Sequence, residues 1–169
     1  SSFYIAKFQR NIEELFVSPT PYWVIIVGFA AGGVLRGLLV GGLVLLVSLF
    51  FAKLIIVHIF VTMMFVVLTA IAFSLAGLIN AIFAKDFEGI SIVPTFVLTP
   101  LTYLGGIFYS IHALPQFWQN VSLANPILYM VNGFRYGFLG ITDVAPVISF
   151  LVLIMICIIF AGVNLWLFK

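Results

Sequence analysis

Residues 21–51 read PYWVIIVGFAAGGVLRGLLVGGLVLLVSLFF, an apolar run broken by a single formal charge, Arg36. About 20 consecutive apolar residues cross the hydrocarbon core of a bilayer, so this run predicts a transmembrane helix over 22–51. The rest of the chain has the same character. Of its 169 residues 64% are hydrophobic and only 7% charged, with a mean hydropathy of +1.33. A soluble domain carries about 25% charged residues, so these few charges do not suffice for a water-facing surface, and the chain is built for lipid. Seven Lys/Arg against five Asp/Glu leave a net charge of +2, too small and too scattered for a nucleic-acid footprint. No nucleic-acid partner is expected.

With so few charges, the gaps between them outline the architecture. Three further runs predict spans over 54–83, 91–110 and 146–168. Between the last two, His112, Pro115, Gln116, Gln119, Asn120, Asn125 and Pro126 are too polar for a lipid-exposed helix. The segment 111–142 is therefore expected as interfacial or re-entrant helices, which a membrane tolerates where protein or water satisfies the backbone. Alternation puts Lys7, Arg10, Lys85 and Lys169 on one side and Lys53 and Arg135 on the other. The positive-inside bias makes the first side cytoplasmic.

Most kinds of site chemistry have no footing here. Cys157 is the only cysteine, so neither a disulfide framework nor a CxxC motif exists, and His58, His112 and Cys157 do not form a metal-ligand set. No Gly-Lys dipeptide occurs, which excludes a phosphate-cradling P-loop, and no Gly-x-Ser-x-Gly elbow supports a hydrolase. Catalytic, cofactor and metal residues are expected to be absent. Glu13, Glu14, Asp86, Glu88 and Asp143 all fall in connections between spans, which disfavours ion coupling through an intramembrane acid. Arg135 and Asp143 flank GFRYGFLGITD on the outer side, where an ordinary solvated pair is expected.

Two segments have mechanical potential. In KFQRNIEELFVS, residues 7–18, Phe8, Ile12, Leu15 and Phe16 form one helical stripe while Gln9, Arg10, Glu13 and Glu14 occupy the opposite face. Twelve residues reach about 18 Å, too short to cross, and Pro19 and Pro21 end the helix before the first span. Its mixed charge suits a protein partner better than the Lys/Arg-rich face of a membrane-surface anchor. In GVLRGLLVG, residues 33–41, Gly33, Gly37 and Gly41 share a face at the small-xxx-small spacing that lets helices approach closely in lipid. Arg36 lies near mid-span, where an arginine costs roughly 2.5–3.5 kcal/mol on insertion scales. The apolar residues around it offset this at roughly 0.3–0.6 kcal/mol each. Arg36 is expected at a helix interface or beside a wet cavity.

The order of amphipathic helix, spans, outer polar segment and last span resembles the permease subunits of ABC-2 type transporters. Glu13, Leu15, Ser18 and Pro19 fall where that family has a Glu-x-Leu-x-x-Thr/Ser-Pro coupling-helix pattern. Gly106, Phe108, Leu114, Pro115, Trp118, Asn125, Pro126, Tyr129 and Arg135 follow the family's outer-segment run in order and spacing. The implied fold is an all-α polytopic transmembrane helical bundle, one domain over 1–169. It has a cytoplasmic coupling helix at 7–18, four visible spans and an outer re-entrant segment. The resemblance also implies six spans per permease, two of them ahead of residue 1, in a bacterial inner membrane. It implies a pair of permeases, read here as a homodimer, and separate ATPase subunits that bind ATP and magnesium.

On that reading the chain is an exporter's translocation subunit. Lys7, Arg10, Glu13, Glu14, Leu15 and Pro19 belong to the ATPase-coupling helix. Gly33, Arg36, Gly37 and Gly41 line or pack the intramembrane interface, and Gly106, Pro115, Pro126, Tyr129 and Arg135 shape the outer gate. The rival reading is a non-transporting membrane scaffold whose surface helix recruits a cytoplasmic partner. Water access beside Arg36 separates the two.

Overall fold

The computed structural model describes residues 21–51, 56–84, 91–108 and 110–168. The expected coupling helix, with Lys7, Arg10, Glu13, Glu14, Leu15 and Pro19, lies outside the described residues. Among those described, the fold is all-helical with no strand. We label the α-helices α1 (Tyr22–Phe51), α2 (Ile59–Phe83), α3 (Thr99–Leu104), α4 (Gln116–Leu123), α5 (Pro126–Leu139) and α6 (Pro146–Leu167). A π-helical segment, Val93–Leu98, runs into α3, and a 3-10 turn, Ile111–Ala113, precedes α4.

Among the described residues, three helices are long and apolar enough to cross a membrane: α1, α2 and α6. At 1.5 Å per residue they reach about 45, 37 and 33 Å, against a core of about 30 Å. The segment expected as a span over 91–110 forms a shorter apolar helix, Val93–Leu104. The reason lies in its prolines. Pro100 has no N–H to donate, and the turn before it widens so that Thr99 N–H reaches the carbonyl of Pro94, five residues back. The Thr99 hydroxyl donates to the same carbonyl at 3.2 Å. Gly106, at φ 72°, then takes the left-handed conformation that stops the helix.

Helix α2 is the axis of the bundle: α1, α5 and α6 all pack on it, and α5 also packs on α6. Two apolar clusters hold these contacts. At one end, Ile25 and Ile26 of α1 meet Leu75, Leu78 and Ala81 of α2 and Phe168 beyond α6. Toward the other end, Phe65 and Ala72 of α2 meet Met130 of α5 and Leu153 of α6. Because lipid tails are as apolar as leucine, such contacts stabilise through close packing and a few polar ties rather than through water exclusion. Gly133 seats the Phe65 ring against α5, and Gly137 seats Thr62, positions at which a Cβ would collide. Polar ties add to this: the Ser74 hydroxyl donates to the Ala30 carbonyl at 2.9 Å, and Asn164 Nδ2 donates to the Leu75 carbonyl at 3.1 Å.

Candidate functional site

The antiparallel pair α1 and α2 touch closely only along part of their length. Gly33 and Gly37 of α1 lie against Ser74 and Ala70 of α2, whereas Gly41 and Gly42 have nothing within 4 Å of a Cβ position. The two helices therefore enclose a groove of about 830 Å³. Its walls are apolar except for Arg36 and a few hydroxyls, and Phe134 and Phe138 of α5 border it. Arg36 is exposed and has neither a hydrogen bond nor an ion pair among the described residues. The sequence places this guanidinium at mid-span; the fold gives it a groove rather than a counter-charge.

Arg135 has the opposite surroundings. Its Nη1 donates to Asp143 Oδ2 at 2.7 Å and its Nη2 to the Gly106 carbonyl at 2.5 Å. The pair is partly buried, with 18% and 14% of the two side chains exposed. This corrects the expectation of an ordinary solvated pair. Asp143 also accepts from the Ser110 hydroxyl at 2.8 Å and from Ile111 N–H at 3.3 Å. Partial burial pushes the Asp143 carboxyl upward. The Ser110 and Ile111 donors and the nearby Arg135 charge outweigh that, and its pKa lies below the usual carboxylate value.

One turn earlier on α5, Asn132 is buried and has every polar atom committed. Its Nδ2 donates to the Val144 carbonyl at 2.6 Å and to Ser149 Oγ at 2.9 Å. Its Oδ1 accepts from the Thr142 hydroxyl at 2.7 Å and from Asp143 N–H at 2.9 Å, with Val144 N–H at 3.3 Å. Asn132 and Arg135 together tie the 140–145 turn and the start of α6 to α5. The turn is possible because Gly140, at φ 70°, caps α5 in the left-handed conformation.

The remaining outer residues fasten the elements before α5. Pro115 precedes α4, and its carbonyl accepts from Trp118 N–H at 2.9 Å. Asn125 caps α5 by accepting from Ile127 N–H at 3.0 Å, and its Nδ2 donates to the Leu101 carbonyl at 2.6 Å. Pro126 takes the first turn of α5, where its missing N–H costs nothing. Tyr129 OH donates to the Leu123 carbonyl at 2.7 Å. Of the expected outer residues, Gly106 and Arg135 are brought into direct contact, whereas Pro115, Pro126 and Tyr129 act at neighbouring joints.

Sequence reasoning missed Asn132, Ser149 and Asn164. Their signal is a polar residue in an apolar helical run, which says that a partner is needed but not which one. Helix α5 connects the two regions: Asn132 and Arg135 hold the outer turn, Gly133 and Gly137 sit on α2, and Phe134 and Phe138 border the groove.

Residues 1–139 match the sequence profile of a family described as ABC-2 type transporter. The chain is 59% identical over 160 residues to the inner membrane transport permease YadH of Escherichia coli and equally to that of Shigella flexneri. Each match covers 95% of this chain and 62% of the relative, so the chain spans less than two thirds of the length of these curated relatives. No solved structure matches it. With a profile match over most of its length and three described helices able to cross a bilayer, the chain belongs to the ABC-2 type transporter family and is a multi-pass inner-membrane protein.

Proposed function

We propose that this chain forms the translocation path of an ATP-driven exporter and draws its energy from a separate ATPase subunit. The carrying observation is Arg36, a charge at mid-span that lines an open groove and has no partner among the described residues. A guanidinium so placed suits a wet or ligand-lined path, since charges inside membranes face cavities or one another. Two copies of the permease would enclose that path. The 91–110 segment and the helices of 111–142 would serve as the re-entrant outer gate, with the Arg135 network setting its position.

The 7–18 helix would dock in the ATPase. Arg10, Glu13 and Glu14 would make its polar contacts, and Phe8, Ile12, Leu15 and Phe16 would fix it to the base of the spans. Closure of the ATPase dimer then tilts spans instead of sliding a helix along the surface. ATP and magnesium bind in the partner, and this chain supplies coupling and path.

The test uses the complete permease assembled with its ATPase. Arg36→Cys is expected to react with water-soluble thiol reagents in one nucleotide state and to be protected in another. Glu13→Ala with Glu14→Ala is expected to abolish co-purification of the ATPase. If the cysteine is unreachable in every nucleotide state, no wet path passes it and the scaffold reading replaces this one. If the double substitution leaves assembly and transport-coupled hydrolysis intact, the docking role is wrong.

A further inference from the structure

The groove between α1 and α2 carries information about what it can hold. It extends on α1 from Phe29 to Leu45, a rise of about 24 Å at 1.5 Å per residue. Its volume of about 830 Å³ falls within the roughly 300–1,000 Å³ of pockets that hold one small molecule. Among the described residues nothing covers Met63, Val67 and Phe73 on its α2 wall, which are exposed.

The polar groups of the wall are few. The Thr62 hydroxyl donates to the His58 carbonyl at 3.0 Å and the Ser74 hydroxyl to the Ala30 carbonyl at 2.9 Å, so both are committed within the fold. Thr69 lines the groove and has a buried hydroxyl with no hydrogen-bond partner. Among the described residues, Arg36 is the one charge in the lining. This inventory discriminates among ligand classes. A cation would be repelled by an uncompensated guanidinium in a low-dielectric wall. A sugar polymer would leave many hydroxyls facing hydrocarbon, each at the expense of a lost hydrogen bond. One oxyanion on a hydrocarbon tail satisfies both features: the guanidinium fork receives the oxyanion in a two-point contact, and the apolar walls receive the tail.

We infer that the α1/α2 groove binds an anionic amphiphile, a single oxyanion head on a hydrocarbon tail, with Arg36 as its head-group contact. The inference rests on the permease reading above and narrows its substrate class.

The experiment uses the complete permease with its ATPase in nanodiscs of phosphatidylcholine and a myristate probe carrying a photoreactive diazirine in its tail. Labelled peptides are expected from 29–45 of α1 and 59–78 of α2. Dodecyl phosphate is expected to displace the probe, and dodecyltrimethylammonium at equal concentration to leave it bound. Arg36→Gln should cut labelling at least tenfold, and Arg36→Lys, which keeps the charge but loses the two-point fork, should fall between Arg36→Gln and the wild type. Gly41→Leu fills open space in the groove and should reduce labelling as well. It keeps the test decisive should Arg36→Gln fail to assemble. Labelling that is indifferent to Arg36→Gln, displaced equally by the cation, or found outside these two helices overturns the inference. ATP hydrolysis is measured on the same samples. Intact coupling without groove labelling rejects only the ligand class, whereas hydrolysis indifferent to Glu13→Ala with Glu14→Ala rejects the permease reading itself.

Discussion

Arg36 and Arg135 are the two described arginines, and they have opposite fates. Arg135 sits toward the C-terminal end of α5 with a carboxylate, a carbonyl and a neighbouring amide hub around it. Arg36 sits midway along a 30-residue helix with apolar walls and no described partner. A guanidinium can be held in a membrane protein in either way, but the consequences differ. The satisfied one rigidifies the elements that it joins, because breaking it strands several buried groups together. The other has no partner among the described residues, which is what the proposed ligand contact requires. The polar ties are concentrated in the Arg135 network, and the binding capacity proposed above in the groove.

The sharpest way to break this comparison is at Asn132. Asn132→Leu keeps approximate shape but strands the 142–144 backbone groups and Ser149, and should destabilise the complete permease by about 2–4 kcal/mol. Thermal denaturation of the purified protein measures it. Arg135→Ala follows, at about 2–3 kcal/mol, because it leaves Asp143 partly buried without its counter-charge. Asp143→Ala should cost a similar amount, and the double variant should fall well short of the sum, since the two share one interaction.

The same pair sets an acid limit. The Asp143 carboxyl titrates below its ordinary value in the folded protein. Its contribution is therefore fully present above the unfolded carboxylate pKa of about 3.9 and is lost as pH falls through the lower folded value. Wild-type protein should lose thermal stability faster than Asp143→Asn when pH is lowered from about 5 to 3. A parallel decline of the two would remove Asp143 from this role.

Smaller effects test the groove. Gly33→Ala places a methyl against Ser74 and disturbs its tie to Ala30, for a loss of about 1 kcal/mol. Gly41→Ala meets open space and should be neutral or gain up to about 1 kcal/mol from helix propensity. Equal effects at the two glycines would mean that α1 and α2 do not diverge as described. Arg36→Leu should leave stability unchanged or raise it, by at most about 3 kcal/mol, because it removes an intramembrane charge. It should nevertheless abolish coupled transport. Of the two arginines, only this one should separate activity from stability.

The sequence was most legible where the solvent alone decides. Length and apolarity of 22–51 and 146–168 foretell α1 and α6 nearly to the residue, since any helix of that composition must seek lipid. The segment 91–110 was harder, because two prolines and a glycine pair cut a run that hydropathy treats as continuous. The glycine face was half legible. Spacing foretold close approach at Gly33 and Gly37, but not that Gly41 would face a gap, which depends on where α2 diverges.

By itself, then, the sequence determined that this protein lives in a membrane, which family it belongs to, and which residues would need a partner in lipid. Only the tertiary structure decided which of them obtained one. Arg135 meets Gly106 and Asn132 meets Ser149 across 29 and 17 residues of chain, through a turn closed by Gly140 and a helix seated on α2. Periodicity places a side chain on a face of its own helix. What stands opposite that face is set by how the helices pack, and that is why one arginine has a carboxylate opposite it and the other a groove.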